Sequence, residues 1–174
     1  MKLVKMTAMA VGLLAAPVAG LAEGRLVPEV NFLTWPSTKY QHYYETSAYL
    51  AESWTKLGLD VKLNPQPFPA PMLGMWFTDH KFDVVMSVLS GSSARFEPDF
   101  FSNNQFKTEN SRPGGMNVGS FSLPLVDELG AKQMRTYDLE ERRDVIHELQ
   151  EVLYDEQPEA LVAYVVNTTA YNSE

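Results

Sequence analysis

The sequence predicts an α/β domain built on a mixed, mostly parallel sheet flanked by helices. Strand-length and helix-length segments alternate along it, and a strand–helix–strand unit comes first among them. The length of 174 residues, 45% of them hydrophobic, suits one compact core and leaves no room for two full lobes.

Val30-Asn31-Phe32-Leu33-Thr34 reads as a short strand ended by Trp35-Pro36-Ser37, where proline and a capping hydroxyl favour a turn into a helix. From Lys39 to Leu57 the period is helical. Tyr43, Ser47, Leu50, Trp54 and Leu57 recur at steps of four and three, and Tyr44, Ala48 and Ala51 widen that face. Gly58 follows as a left-handed C-cap, and Leu59 to Asn64 alternates apolar and polar as a half-buried strand does.

Phe82 to Leu89 is nearly continuous in apolar residues, which predicts a central strand covered on both faces. Ser90 to Phe121 is rich in Ser, Asn, Gly and Pro, a loop length that is usually functional or disordered. A helix is expected from Pro124 to Arg135. A second is introduced by Asp138, with Glu141 three residues on as in a capping box and a buried stripe of Val145, Ile146, Leu149, Val152 and Leu153. Pro158 ends it, and Ala160 to Val166 reads as a last buried strand.

The first residues carry the pattern of a secretory signal peptide over 1–22. Lys2 and Lys5 precede an uncharged run from Met6 to Ala19, and small residues at Gly20 and Ala22 place cleavage after Ala22. The apolar run is shorter than the roughly 20 residues a membrane-spanning helix needs. There is no cysteine, which removes lipidation after the run, a disulfide scaffold, a thiolate metal site and a cysteine nucleophile. Cleavage would take Lys2 and Lys5 from the 14 basic residues, leaving 12 against 22 acidic ones and a net charge of −10. Such a surface repels nucleic acid and anionic lipid.

Four phrases in order resemble the substrate-binding proteins of peptide-type (family 5) ABC importers, in their C-terminal lobe. A helix and glycine lead into a strand through Ala51 to Leu63; an aromatic-Asp strand stands at Phe82-Asp83; Val126-Asp127-Glu128-Leu129 opens a helix; Asp138, Glu141, Arg142, Gln150, Glu156 and Pro158 fit the closing helix and proline. The resemblance implies a periplasmic-binding-protein-like lobe over residues 23–174, a single domain and an incomplete receptor, since family members are much longer and hold ligand between two lobes. It further implies a periplasmic protein, a peptide or similar small solute as ligand, an ABC permease in the inner membrane as partner, a monomeric state, and neither enzyme activity nor cofactor. Members that capture peptides often place a Trp and then an Asp after the aromatic-Asp strand; Leu89 and about Ser92 stand there in this sequence.

Residues for chemistry are scarce. His42, His80 and His147 are scattered, His147-Glu148-Leu149-Gln150-Glu151 lacks the second histidine of a helical zinc motif, and Gly91-Ser92-Ser93-Ala94-Arg95 lacks the second glycine of a nucleophile elbow. Binding residues are expected at the C-terminal ends of strands, where an open α/β sheet leaves backbone groups free. That selects Trp35 and Ser37 after the first strand, and Ser87, Ser90, Arg95 and Glu97 at the end of the apolar one. Trp35 would stack on a ligand or else belong to the core. Arg95 would meet an anionic ligand group or Glu97, or both charges would be solvated. The alternative to a receptor is a truncated lobe without solute binding, an interaction module or non-functional fragment, which an exposed apolar patch at Leu73, Met75, Trp76 and Phe77 would favour.

Overall fold

A computed structural model describes residues 27–89 and 93–163. The segment 1–22 expected as a signal peptide, Ser90 and the last residues fall outside the described residues.

Strand β1 (Val30–Thr34) leads through a turn at Pro36–Tyr40 into helix α1 (Gln41–Lys56), and the chain returns as β2 (Val61–Pro65). β1 and β2 pair in parallel, Val30 opposite Val61 and Thr34 opposite Pro65. β3 (Val84–Val85) pairs in parallel with the other side of β1, so the described sheet has the order β2-β1-β3. Period two divides β1 between two faces. Phe32 stacks on Trp54 of α1 at 5.5 Å, and the buried Thr34 and Ser47 hydroxyls hydrogen-bond at 2.6 Å. Ser47 is thus a polar residue on the apolar face that the sheet itself satisfies. Leu33 and Trp35, on the opposite face, belong to the same core together with Met72, Trp76 and Met86.

The helix ends as the glycine predicts. Gly58 has φ +93°, its N–H donates to Thr55 O at 3.0 Å, and the Leu59 N–H reaches back to Trp54 O at 3.2 Å, a complete Schellman pair. Leu57, expected on the buried face, is 80% exposed, because the helix stops at Lys56 and leaves it at the cap. The start differs too: the cap position is Tyr40, so the Ser37 hydroxyl does not open α1.

Among the described residues the apolar run at 82–89 does not take the central place in the sheet. Only Val84 and Val85 pair, on the outer side of β1, and beyond them burial alternates, with Met86 buried while Ser87 and Leu89 are exposed. The middle position goes to β1, which has pairing partners on both sides.

Two helices form a second core. α2 (Pro124–Gln133) begins with proline at its first position, and α3 (Leu139–Glu156) is capped by Asp138, whose carboxylate accepts the Glu140 and Glu141 N–H groups at 3.0 Å. Val126, Leu129, Val145 and Leu149 are buried here with Phe106. Gln157 ends α3 in a left-handed conformation, and the chain then runs irregularly, with Leu161 and Val162 exposed. The buried strand expected over Ala160–Val166 is therefore absent from 160–163; its remainder lies outside the described residues. Among the described residues no helix is long and apolar enough to cross a membrane.

Candidate functional site

The strand order makes β1 and β3 the point where the chain reverses direction across the sheet: α1 and β2 lie to one side of β1, and β3 to the other. A crevice at the C-terminal ends of two such strands is the usual ligand position in open α/β sheets. Trp35 and Ser37 leave β1 there, and Ser87 leaves β3. The Trp35 indole N–H donates to Met86 O at 2.8 Å, tying the two strand ends together. Its ring is enclosed by Tyr40 at 4.7 Å, Phe68 at 4.9 Å and Tyr43 at 5.5 Å, and only 5% of the residue is exposed. Of the two roles open to it in sequence, Trp35 thus takes the core one. Ser37 and Ser87 are exposed, and Ser90 falls outside the described residues.

Arg95 and Glu97 turn toward the helical core. The Arg95 guanidinium lies 5.5 Å from the centre of the Phe100 ring, and a Glu97 carboxylate oxygen is 3.4 Å from Arg142 Nη2. Arg142 entered the sequence reading as part of the closing-helix phrase. In the structure it is half-buried, and its Nε and Nη2 donate to the Gln133 side-chain oxygen at 3.1 and 2.9 Å. Gln133 is 1% exposed and donates in turn to Ser102 Oγ at 3.1 Å. A planar guanidinium with two donors on one amide oxygen is held in orientation as well as place. The chain Ser102–Gln133–Arg142–Glu97 therefore fastens the 93–105 tract to α2 and α3.

Beside this network is an open cleft of about 540 Å³. Glu97, Asp99 and Phe100 line it from the tract, and Gln133, Tyr137, Leu139 and Arg142 from the α2–α3 junction. Sequence reasoning found only Glu97 among them. Gln133 and Arg142 stand nine positions apart across a helix junction, so no helical period relates them.

The ionisation shifts lie elsewhere. Glu52 is held below the ordinary carboxylate range by its hydrogen bond to Lys56; Glu109 is lowered and Lys107 raised by their mutual bond. None of the three lines the cleft. No group of three or more His, Asp or Glu able to hold a metal occurs among the described residues. Leu73, Met75 and Phe77 are partly buried against the first core and Trp76 is buried within it, so this stretch packs inward and is not an exposed patch.

No protein-family model matches the sequence, nor does any curated protein. Solved structures do match in fold. NikZ from Campylobacter jejuni, in complex with Ni(L-His), is 22% identical with a TM-score of 0.59, over 75% of this chain and 25% of its own. The oligopeptide-binding protein AppA from Bacillus subtilis, in complex with a nonapeptide, is 18% identical with a TM-score of 0.63, over 75% and 24%. The ABC transporter-associated periplasmic binding protein DppA from Helicobacter pylori, in complex with the peptide STSA, is 18% identical with a TM-score of 0.62, over the same shares. The chain spans about a quarter of the length of these binding proteins. Its fold is that of the family 5 peptide- and nickel-binding periplasmic proteins, over a span that fits part of one lobe.

Proposed function

We propose that the chain is a solute-binding component of an ABC importer, exported to the periplasm, which binds a peptide or related small solute reversibly and performs no chemistry on it. The supporting observation is the strand order, which brings the C-terminal ends of β1 and β3 side by side, the place where open α/β sheets usually hold a ligand, in a fold shared with periplasmic binding proteins. Ser37, Ser87 and Ser90 would supply hydroxyls to the solute, and Arg95 and Glu97 its charge pairing. Trp35 would set the crevice wall through its bond to Met86. The partner on release is an ABC permease, and the working state is a monomer.

A single open lobe desolvates one side of a ligand, so affinity falls well short of that of a closed two-lobed cleft. Calorimetry with free di- and tripeptides, and with nickel plus L-histidine, tests the reading on the wild type and on Arg95→Ala. Weak, saturable binding of one of these solutes is expected, reduced about tenfold in Arg95→Ala, as loss of a charged hydrogen bond implies. Tight binding that survives both Arg95→Ala and Ser90→Ala would put the site elsewhere.

A further inference from the structure

The buried residues of the first core, from Phe32 to Met86, all precede the 93–105 tract, and those of the second, from Phe106 to Leu149, all follow it. The same line divides the polar contacts. β1, α1, β2 and β3 bond among themselves, and so do Glu97, Ser102, Gln133 and Arg142. Among the described residues, the hydrogen bond that crosses the line runs from the Gly114 N–H to Phe77 O at 2.7 Å, and the side chain that crosses it to pack on the first core is Val118.

Both crossings start from the 106–121 segment, which is bound far more tightly to the helical side. The Asp127 carboxylate of α2 accepts the Thr108 N–H at 2.8 Å, and the Thr108 and Ser122 hydroxyls bond at 3.1 Å. Asn110 Nδ2 donates to the backbone oxygens of Asn103 and Asn104, and Phe106 meets Phe121 edge to face at 6.1 Å. The segment is also folded closely on itself, since a Cβ at Gly115 would collide with the Asn110 backbone oxygen. A cooperative unit is held by its own apolar burial and backbone bonds, and one hydrogen bond at an exposed glycine couples two such units weakly.

We propose that residues 27–89 and 93–156 are two cooperative units that open independently, and that 106–121 is a strap belonging to the helical unit and latched onto the first at Phe77. The division falls across the residues proposed for solute binding, with Ser37 and Ser87 on one unit and Arg95 and Glu97 on the other. The latch then helps to hold the two halves of that site in place. Separate opening rests on the packing alone, whether or not a solute binds there.

Native-state hydrogen exchange on the full chain, followed by mass spectrometry in urea below the unfolding midpoint, tests this. Peptides of β1, α1 and β2 are expected to share one opening free energy, and those of 106–121, α2 and α3 another. Each should show a smaller urea slope than a single transition of the whole chain would give. Val126→Ala, at a fully buried position of the second core, should speed exchange about tenfold in 106–121, α2 and α3 and leave β1, α1 and β2 unchanged. Leu33→Ala, equally buried in the first core, should do the reverse. One free energy and one slope shared by both halves of the wild type would overturn the proposal, and that measurement decides the matter even where a variant does not fold. Equal acceleration of both halves by Val126→Ala would overturn it as well, and exchange of 106–121 in step with β1 and α1 would overturn the place given to the strap.

Discussion

Asn117 is 2% exposed and its side chain is saturated with backbone partners. Nδ2 donates to Lys107 O at 3.1 Å and Phe121 O at 2.7 Å, and Oδ1 accepts the Phe121 N–H at 3.0 Å. One amide thus supplements the short 3-10 turn at Thr108–Asn110 in the otherwise irregular 106–121 segment, satisfying backbone groups that would otherwise be buried unpaired. Asn117→Ala should cost about 2–3 kcal/mol, the penalty for several buried polar groups left without partners, read as a lower urea midpoint. An unchanged midpoint would mean that water replaces the amide. The residues that carry the family resemblance work in the same way. Asp83 accepts the Asn31 N–H at 2.7 Å, Asp127 accepts the Thr108 N–H at 2.8 Å, Asp138 caps α3, and Arg142 grips Gln133. They are fasteners of the fold.

Among the elements, α1 shows how far local chemistry reaches. Its apolar period, its terminal glycine and the alternating strand beyond were legible in sequence, because each depends on neighbours within one or two turns. Gly58 at φ +93° has open space around its Cβ position, so substitution costs conformational strain and not a clash. Gly58→Val should therefore destabilise by at least about 1 kcal/mol, with a lower denaturation midpoint as the measure. Gly58→Asn, which tolerates the left-handed region better, should lose less. β3 shows the limit. An apolar run of eight residues reads as a covered strand, yet Ser87 and Leu89 face solvent, and whether a run is covered depends on elements far off in sequence.

At the scale of the whole molecule, two cores share one chain. The sheet and α1 bury Phe32, Leu33 and Trp35, whereas α2 and α3 bury Val126, Leu129, Val145 and Leu149. The 106–121 segment joins them: the Gly114 N–H bonds Phe77 O at 2.7 Å and Val118 packs on the first core, while Phe106 and Phe121 belong to the second. The export proposed for this chain makes its own prediction. Intact mass of the protein recovered from a periplasmic fraction should match a chain beginning at Glu23. A chain still beginning at Met1 would contradict it.

The sequence by itself determined the α/β class, the strand–helix–strand unit, the limits of α1, α2 and α3 to within a few residues, and the order of phrases that points to the binding-protein fold. All of these rest on periodicity, capping and glycine chemistry, which act over a few residues. Only the tertiary structure decided that β1 is the middle strand, that Trp35 seals a strand end, that Trp76 packs inward, and that Glu97 meets Arg142 beside a cleft. Glu97 and Arg142 are 45 positions apart, and the Trp35–Met86 bond spans 51. Contacts of that separation are fixed by how whole elements pack against one another, and no local pattern encodes them.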